Sequence, residues 1–221
     1  MKKETIYLIS SSLLICLLLY LLDQVWQVNY GVKTGAKILF FLAAPAGYRF
    51  VFRKGQPSRR LTLPAGKELK YSILVGVFSF AVVTAAYLLL RSFIDLPGIV
   101  SDLEGKSKVT ADNFLLAGAY ITFINSFLEE IFFRGFLFLN LYEKGRKKTA
   151  WIYSSLMFAL YHISIFKSWF SPGILMTAVA GLVFAGLLFN YMNRRTRTVF
   201  NSWLAHMMAD AAIIWIGWRM F

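Results

Sequence analysis

Seven stretches of the chain are apolar on every face: Ile6–Leu22, Ala36–Phe52, Tyr71–Leu90, Phe114–Leu141, Ala150–Phe166, Gly173–Tyr191 and Val199–Trp218. Each approaches or exceeds the roughly 20 residues that a helix needs to cross a bilayer. The pattern predicts an all-α protein, a polytopic transmembrane helical bundle of about seven spans (six to eight). It forms a single membrane-embedded domain, 1–221. The second run is short and contains Pro45 and Gly47, so a kink or a re-entrant path is expected there. The fourth, about 28 residues, would measure about 42 Å as a straight helix and should tilt or project from the bilayer. Residues 92–113 carry Asp95, Asp102, Glu104 and Asp112 and should be either disordered or a short surface helix. Thr110 and Asp112 are candidate caps for the fourth span.

Composition agrees with the pattern. The 221 residues are 58% hydrophobic, against about 45–50% for a soluble domain, and the mean hydropathy is +0.59. A net charge of +13 would suit a nucleic-acid partner. The distribution argues against one, because the basic residues lie in short loops between apolar runs. Sixteen Lys and Arg fall on one side of the alternating spans, seven on the other, and Arg134 lies within a span. This asymmetry places the N-terminus in the cytoplasm and the C-terminus outside, and makes the anionic leaflet the electrostatic partner. Lys33 and Lys37 count with the outer side, and Arg59 and Arg60 with the inner. Met1-Lys2-Lys3 before an apolar run imitates a signal peptide, but that run has no clear cleavage site and is read as a retained span. The lone Cys16 allows no internal disulfide and reads as a small buried hydrophobe.

Against this background the polar interruptions stand out. Glu129, Glu130 and Arg134 sit inside the fourth run, and both histidines, His162 and His206, sit inside later ones. Ionisable groups at membrane depth are costly and point to function. Glu130 and Arg134 are four apart and can pair on one face. Glu129 points about 100° away, free to act as a general base in a low-dielectric site. Phe158 and His162 share a face, as do His206 and Asp210. At about 1.5 Å per residue the three helices bring these groups to overlapping depths, where they can surround one water.

Three motifs occur in order. Glu129-Glu130-Ile-Phe-Phe-Arg134 fits E-E-x-x-x-R, Phe158-Ala-Leu-Tyr-His162 fits F-x-x-x-H, and His206-Met-Met-Ala-Asp210 stands where H-x-x-x-N is usual. Together they resemble the CPBP family of CAAX proteases and bacteriocin-processing enzymes, also called the ABI family. The resemblance covers roughly 114–218, which would be the catalytic core. It implies intramembrane glutamic proteolysis: Glu129 activates water with His162, Glu130, Arg134 and Phe158 support the site, and His206 and Asp210 occupy oxyanion-stabilising positions. Asp210 departs from the usual Asn. An ionised Asp cannot donate a hydrogen bond, so it is protonated, or orients His206, or binds something else. No cofactor is expected. Glu, His, His and Asp are acceptable zinc ligands, which keeps a metal in play, but the chain has no His-Glu-x-x-His helix.

The expected activity is therefore a membrane endopeptidase acting on a membrane-associated peptide or protein. Short basic loops suit a bacterial cytoplasmic membrane, where a peptide precursor or a bacteriocin-type leader is a better substrate than a prenylated chain. A non-catalytic scaffold or bacteriocin immunity protein, acting on a partner membrane protein, is the alternative. A proton-coupled transporter ranks last, since the chain has no repeated half with broken helices. The first three spans carry no chemical motif. Gly181 and Gly186 in the sixth are candidate sites of close helix approach.

Overall fold

A computed structural model describes residues 2–55 and 60–221, so Arg59 lies outside the described residues. Eight helices are used below: α1 Lys2–Tyr20, α2 Tyr30–Phe52, α3 Lys67–Leu90, α4 Leu96–Asp102, α5 Phe114–Glu143, α6 Lys147–Phe166, α7 Pro172–Thr196 and α8 Phe200–Trp218. Among the described residues there is no strand. Six helices are long and apolar enough to cross a membrane: α1, α2, α3, α5, α6 and α7. Helix α8 has 19 residues and buries four polar side chains, Asn201, Ser202, His206 and Asp210. The protein is a polytopic helical membrane bundle. Its lipid-facing surface includes Leu74, Leu89, Leu116 and Met176, all largely exposed. A surface that apolar is stable in contact with acyl chains and unstable in water.

Helix α2 runs unbroken through Pro45, so the expected re-entrant path is not observed. It begins at Asn29, whose side chain accepts from Val32 N at 2.9 Å. At Gly47 it passes so near α1 that a Cβ would lie 2.8 Å from the Tyr7 hydroxyl. The 92–113 loop is a surface element: α4 starts at Asp95, which caps the Gly98 N–H, and continues as a π-turn to Ser107. Thr110 and Asp112 do not cap α5. The N-cap residue is Asn113, whose own side chain turns back to bracket the loop, accepting from Thr110 N and donating to Lys108 O.

Helix α5 is a succession of α- and π-helical runs, with π geometry over Tyr120–Asn125 and Glu130–Phe138. Such bulges disturb the i→i−4 ladder and favour functional sites. Neighbouring side chains serve some of its carbonyls. Asn140 donates to Gly135 O and Phe136 O, and Ser154 on α6 donates to Phe133 O. The aromatic core wraps this segment, with Phe41 stacked on Phe132 at 4.3 Å and edge-on to Phe133. Helix α3 lies at the periphery and packs chiefly on α8. It buries only Ser72, Val75 and Gly76.

The basic loops meet at one end. Glu143 accepts from Arg60 at 2.8 and 2.9 Å and from Arg197 at 3.3 Å, while Glu4 pairs with Lys144 at 2.6 Å. Lys33–Asp23 and Lys106–Asp102 pairs belong to segments that the alternation assigns to the opposite end.

Candidate active site

Three helices deliver the predicted polar groups to one point. Helix α5 supplies Glu129, Glu130 and Arg134, α6 supplies Phe158 and His162, and α8 supplies His206 and Asp210. All are buried, Glu129 to 1% exposure and Glu130 to 0%. Adjacency on a helix turns the two glutamates towards different neighbours, as expected. Glu130 faces Arg134 and α8. Its Oε1 lies 2.9 Å from Arg134 Nη1 and accepts from His206 Nδ1 at 3.0 Å, and its Oε2 accepts a very short bond from the Ser202 hydroxyl. The Arg134 guanidinium lies 4.0 Å above the Phe158 ring and 5.0 Å from Phe189. Its pairing with Glu130 is thus a close charge contact, with rings covering its faces, rather than an aligned hydrogen bond. This gives Phe158 a physical role, since its ring is the platform for the buried arginine.

Glu129 faces the other way. Its Oε1 accepts from Asn125 Nδ2 at 2.8 Å. Its Oε2 is buried with no hydrogen-bond partner among the described residues. That oxygen stands 3.5 Å from His162 Nε2 and 3.9 Å from His206 Nε2. The His162 Nδ1 is 2.7 Å from the Phe158 carbonyl. A carbonyl only accepts, so Nδ1 carries a proton, and in the neutral form of the ring the Nε2 lone pair turns towards Glu129. His206 is arranged alike, with Nδ1 donating to Glu130 and Nε2 turned to Glu129 and, at 3.8 Å, to Asp210 Oδ1. Asp210 Oδ2 also has no hydrogen-bond partner among the described residues. Among those residues, no three His, Cys, Asp or Glu stand in metal-binding geometry.

The motifs did not reveal Asn125, Ser202 and Lys37. Asn125 is one helical turn before Glu129 and could have been found by i, i+4 spacing. Ser202 stands four residues before His206 and shares its face, but a serine in an apolar helix gives no distinct signal. Lys37, counted from the sequence with the outer side, lies inside α2 and donates to Asn125 Oδ1 at 2.5 Å. A cavity of about 430 Å³ lies away from all these residues, lined by Tyr87, Pro97, Glu104 and Arg219 among others.

A helical membrane bundle with buried glutamate and histidine side chains converging from three spans is the class that fold and site define. Residues 111–212 match the family described as type II CAAX prenyl endopeptidase Rce1-like. The matched segment contains every residue of the three motifs, and over it the chain is similar to that family, as those motifs indicated. No curated protein and no solved structure matches the chain.

Proposed function

We propose that the protein is an intramembrane endopeptidase that hydrolyses a membrane-associated peptide or protein, with Glu129 as general base. The observation that carries this reading is the pair Glu129 Oε2 and His162 Nε2, two acceptors facing one another at 3.5 Å in a buried site. A water beside this pair has two hydrogens to offer and can donate to both acceptors. Glu129 takes one proton as the water oxygen bonds to the scissile carbonyl carbon. The proton passes to the leaving amine as the C–N bond breaks, which restores the carboxylate.

Negative charge develops on the carbonyl oxygen in between, and a donor aimed there lowers the barrier. His206 Nε2 donates only as the imidazolium, a cation flanked by the carboxylates of Glu130 and Asp210. In this reading Asp210 is a counter-charge to His206, the role an ionised Asp can fill where Asn would donate directly. Glu130 and Arg134 hold the scaffold together without touching substrate. The pattern of basic loops supports a cytoplasmic N-terminus, and a bacterial cytoplasmic membrane remains the proposed location.

The test compares peptide termini in membranes from cells carrying the wild type, Glu129→Gln or His162→Ala at matched expression. Termini that appear only with the wild type establish proteolysis and identify the substrate. Identical termini in all three, with any phenotype intact in the variants, would replace this reading with the scaffold or immunity alternative.

A further inference from the structure

We infer that Lys37 and Asn125 are positioning residues for Glu129: the lysine of the second span fixes the asparagine amide, and the amide fixes which glutamate oxygen is left to act. The inference rests on the proposed role of Glu129 as base.

The geometry is a relay of fixed polarity. Lys37 Nζ donates to Asn125 Oδ1 at 2.5 Å, and Asn125 Nδ2 donates to Glu129 Oε1 at 2.8 Å. An ammonium group only donates, so it forces the amide oxygen towards itself and the amide NH2 towards the carboxylate. A flipped amide would oppose NH2 to NH3+ on one side and oxygen to carboxylate on the other. Oε1 is therefore occupied, and Oε2 remains for His162 and His206. The lysine sits in an apolar helix, eight residues into α2, where a charge without a role is costly. Its Nζ also lies 5.7 Å over the ring of Tyr161, next to His162. The relay thus joins α2 to α5 and α6, and gives the second span a chemical task that no motif in it announces.

Charge supports the same assignment. The site holds three carboxylates, Glu129, Glu130 and Asp210, while Arg134 is committed to Glu130. Lys37 brings a second basic group, on the side where Glu129 lies. The groups around Glu129 are Lys37 on α2, Cys16 on α1, Tyr161 and His162 on α6, and His206 and Asp210 on α8. On its own helix they are Tyr120, Glu130 and Arg134. Lys37 is the one among these that reaches Glu129 through a neutral hydrogen-bonded bridge.

The experiment measures the yield of Glu129-dependent neo-termini in isolated membranes, buffered from mildly acid to mildly alkaline. Lys37→Met should lower the yield about tenfold or more, as removal of a unit charge two hydrogen bonds away implies, and should displace the pH profile. Lys37→Arg, which keeps charge and donor, should retain most of the yield. Asn125→Leu should match Lys37→Met, and the double variant should be no worse than either, because both break one relay. Asn125→Leu and Lys37→Arg also keep the test decisive if Lys37→Met fails to run as a monodisperse species in detergent. Wild-type yield and an unmoved profile in Lys37→Met, with Glu129→Gln inactive, would overturn the relay and leave the proposed base standing. Equal loss in Lys37→Met and Lys37→Arg at an unmoved pH profile would also overturn it. Termini that do not differ between wild type and Glu129→Gln would remove the base and the relay together.

Discussion

Removal of Arg134 is the perturbation whose cost the structure defines most closely. Its guanidinium is 1% exposed, 2.9 Å from a Glu130 oxygen that is itself fully buried, and lies on the Phe158 ring at 4.0 Å. Breaking a buried ion pair by deleting one partner typically costs about 3–5 kcal/mol, and a desolvated cation–π contact is worth up to about 2 kcal/mol. Arg134→Met keeps the volume and removes the charge. Glu130 would still accept from Ser202 and His206, so it is not wholly stranded and the loss should fall near 3 kcal/mol. Glu130→Gln alone should cost a comparable amount, because it leaves the arginine without its counter-charge. The double variant should cost much less than the sum, since an uncharged pair of similar shape removes the uncompensated charge. The assay is reversible unfolding in mixed detergent micelles, with the four proteins forming a double-mutant cycle. Additive losses, or a loss below about 1 kcal/mol in Arg134→Met, would refute the assignment of Arg134 as the electrostatic anchor of the buried glutamate.

Other expectations follow from single contacts. A Cβ at Gly186 would come within 2.9 Å of Ser155 Cα, so Gly186→Val must push α7 away from α6 and should cost about 1–3 kcal/mol in the same micelle assay. Gly181 has open space around it, and Gly181→Ala should be neutral or slightly stabilising, which makes it the matched control. At the α4 end, burial pushes the Asp102 carboxyl up, but hydrogen bonds from Lys106, Trp169 and Ser168 outweigh it and hold the group below the ordinary value of 3.8. A lowered folded value means that the docked form favours the ionised carboxylate. Its contribution is complete at neutral pH and is lost as pH falls through that lowered value. Protection factors for hydrogen exchange over 96–107, corrected for the intrinsic pH dependence, should therefore fall in acid, and Asp102→Asn should lower them at neutral pH. Unchanged exchange in Asp102→Asn would refute the latch.

Much of this protein could be read in one dimension. A span announces itself because every residue in a run of roughly 20 must be compatible with lipid, so the apolar runs and the helices coincide to within a few residues at most ends. The largest departure is α2, which starts at Tyr30 rather than Ala36, because Asn29 caps a turn that hydropathy does not register. The catalytic candidates were visible for the same reason in reverse, since Glu129, Glu130, Arg134, His162, His206 and Asp210 are polar where the background is apolar. The re-entrant path that Pro45 and Gly47 suggested is not observed, because the continuation of a helix through proline depends on what packs beside it. Of two glycines with identical sequence credentials, Gly186 meets Ser155 and Gly181 meets nothing, a difference set by which face turns to α6. The role of Lys37 was not legible, because counting charges by side cannot distinguish a loop lysine from one that points inward.

The sequence by itself determined class and inventory: how many helices can cross, which residues resist the bilayer, and which of them share a helix face, all consequences of local period and transfer energy. The tertiary structure alone decided partnership. It gave Glu130 to Arg134, Ser202 and His206, gave Glu129 to Asn125, left Oε2 facing His162, and carried the charge of Lys37 across from another span. Those contacts join residues up to 88 positions apart, and only the packing angles between helices bring side chains so distant in the chain to within a hydrogen bond of one another.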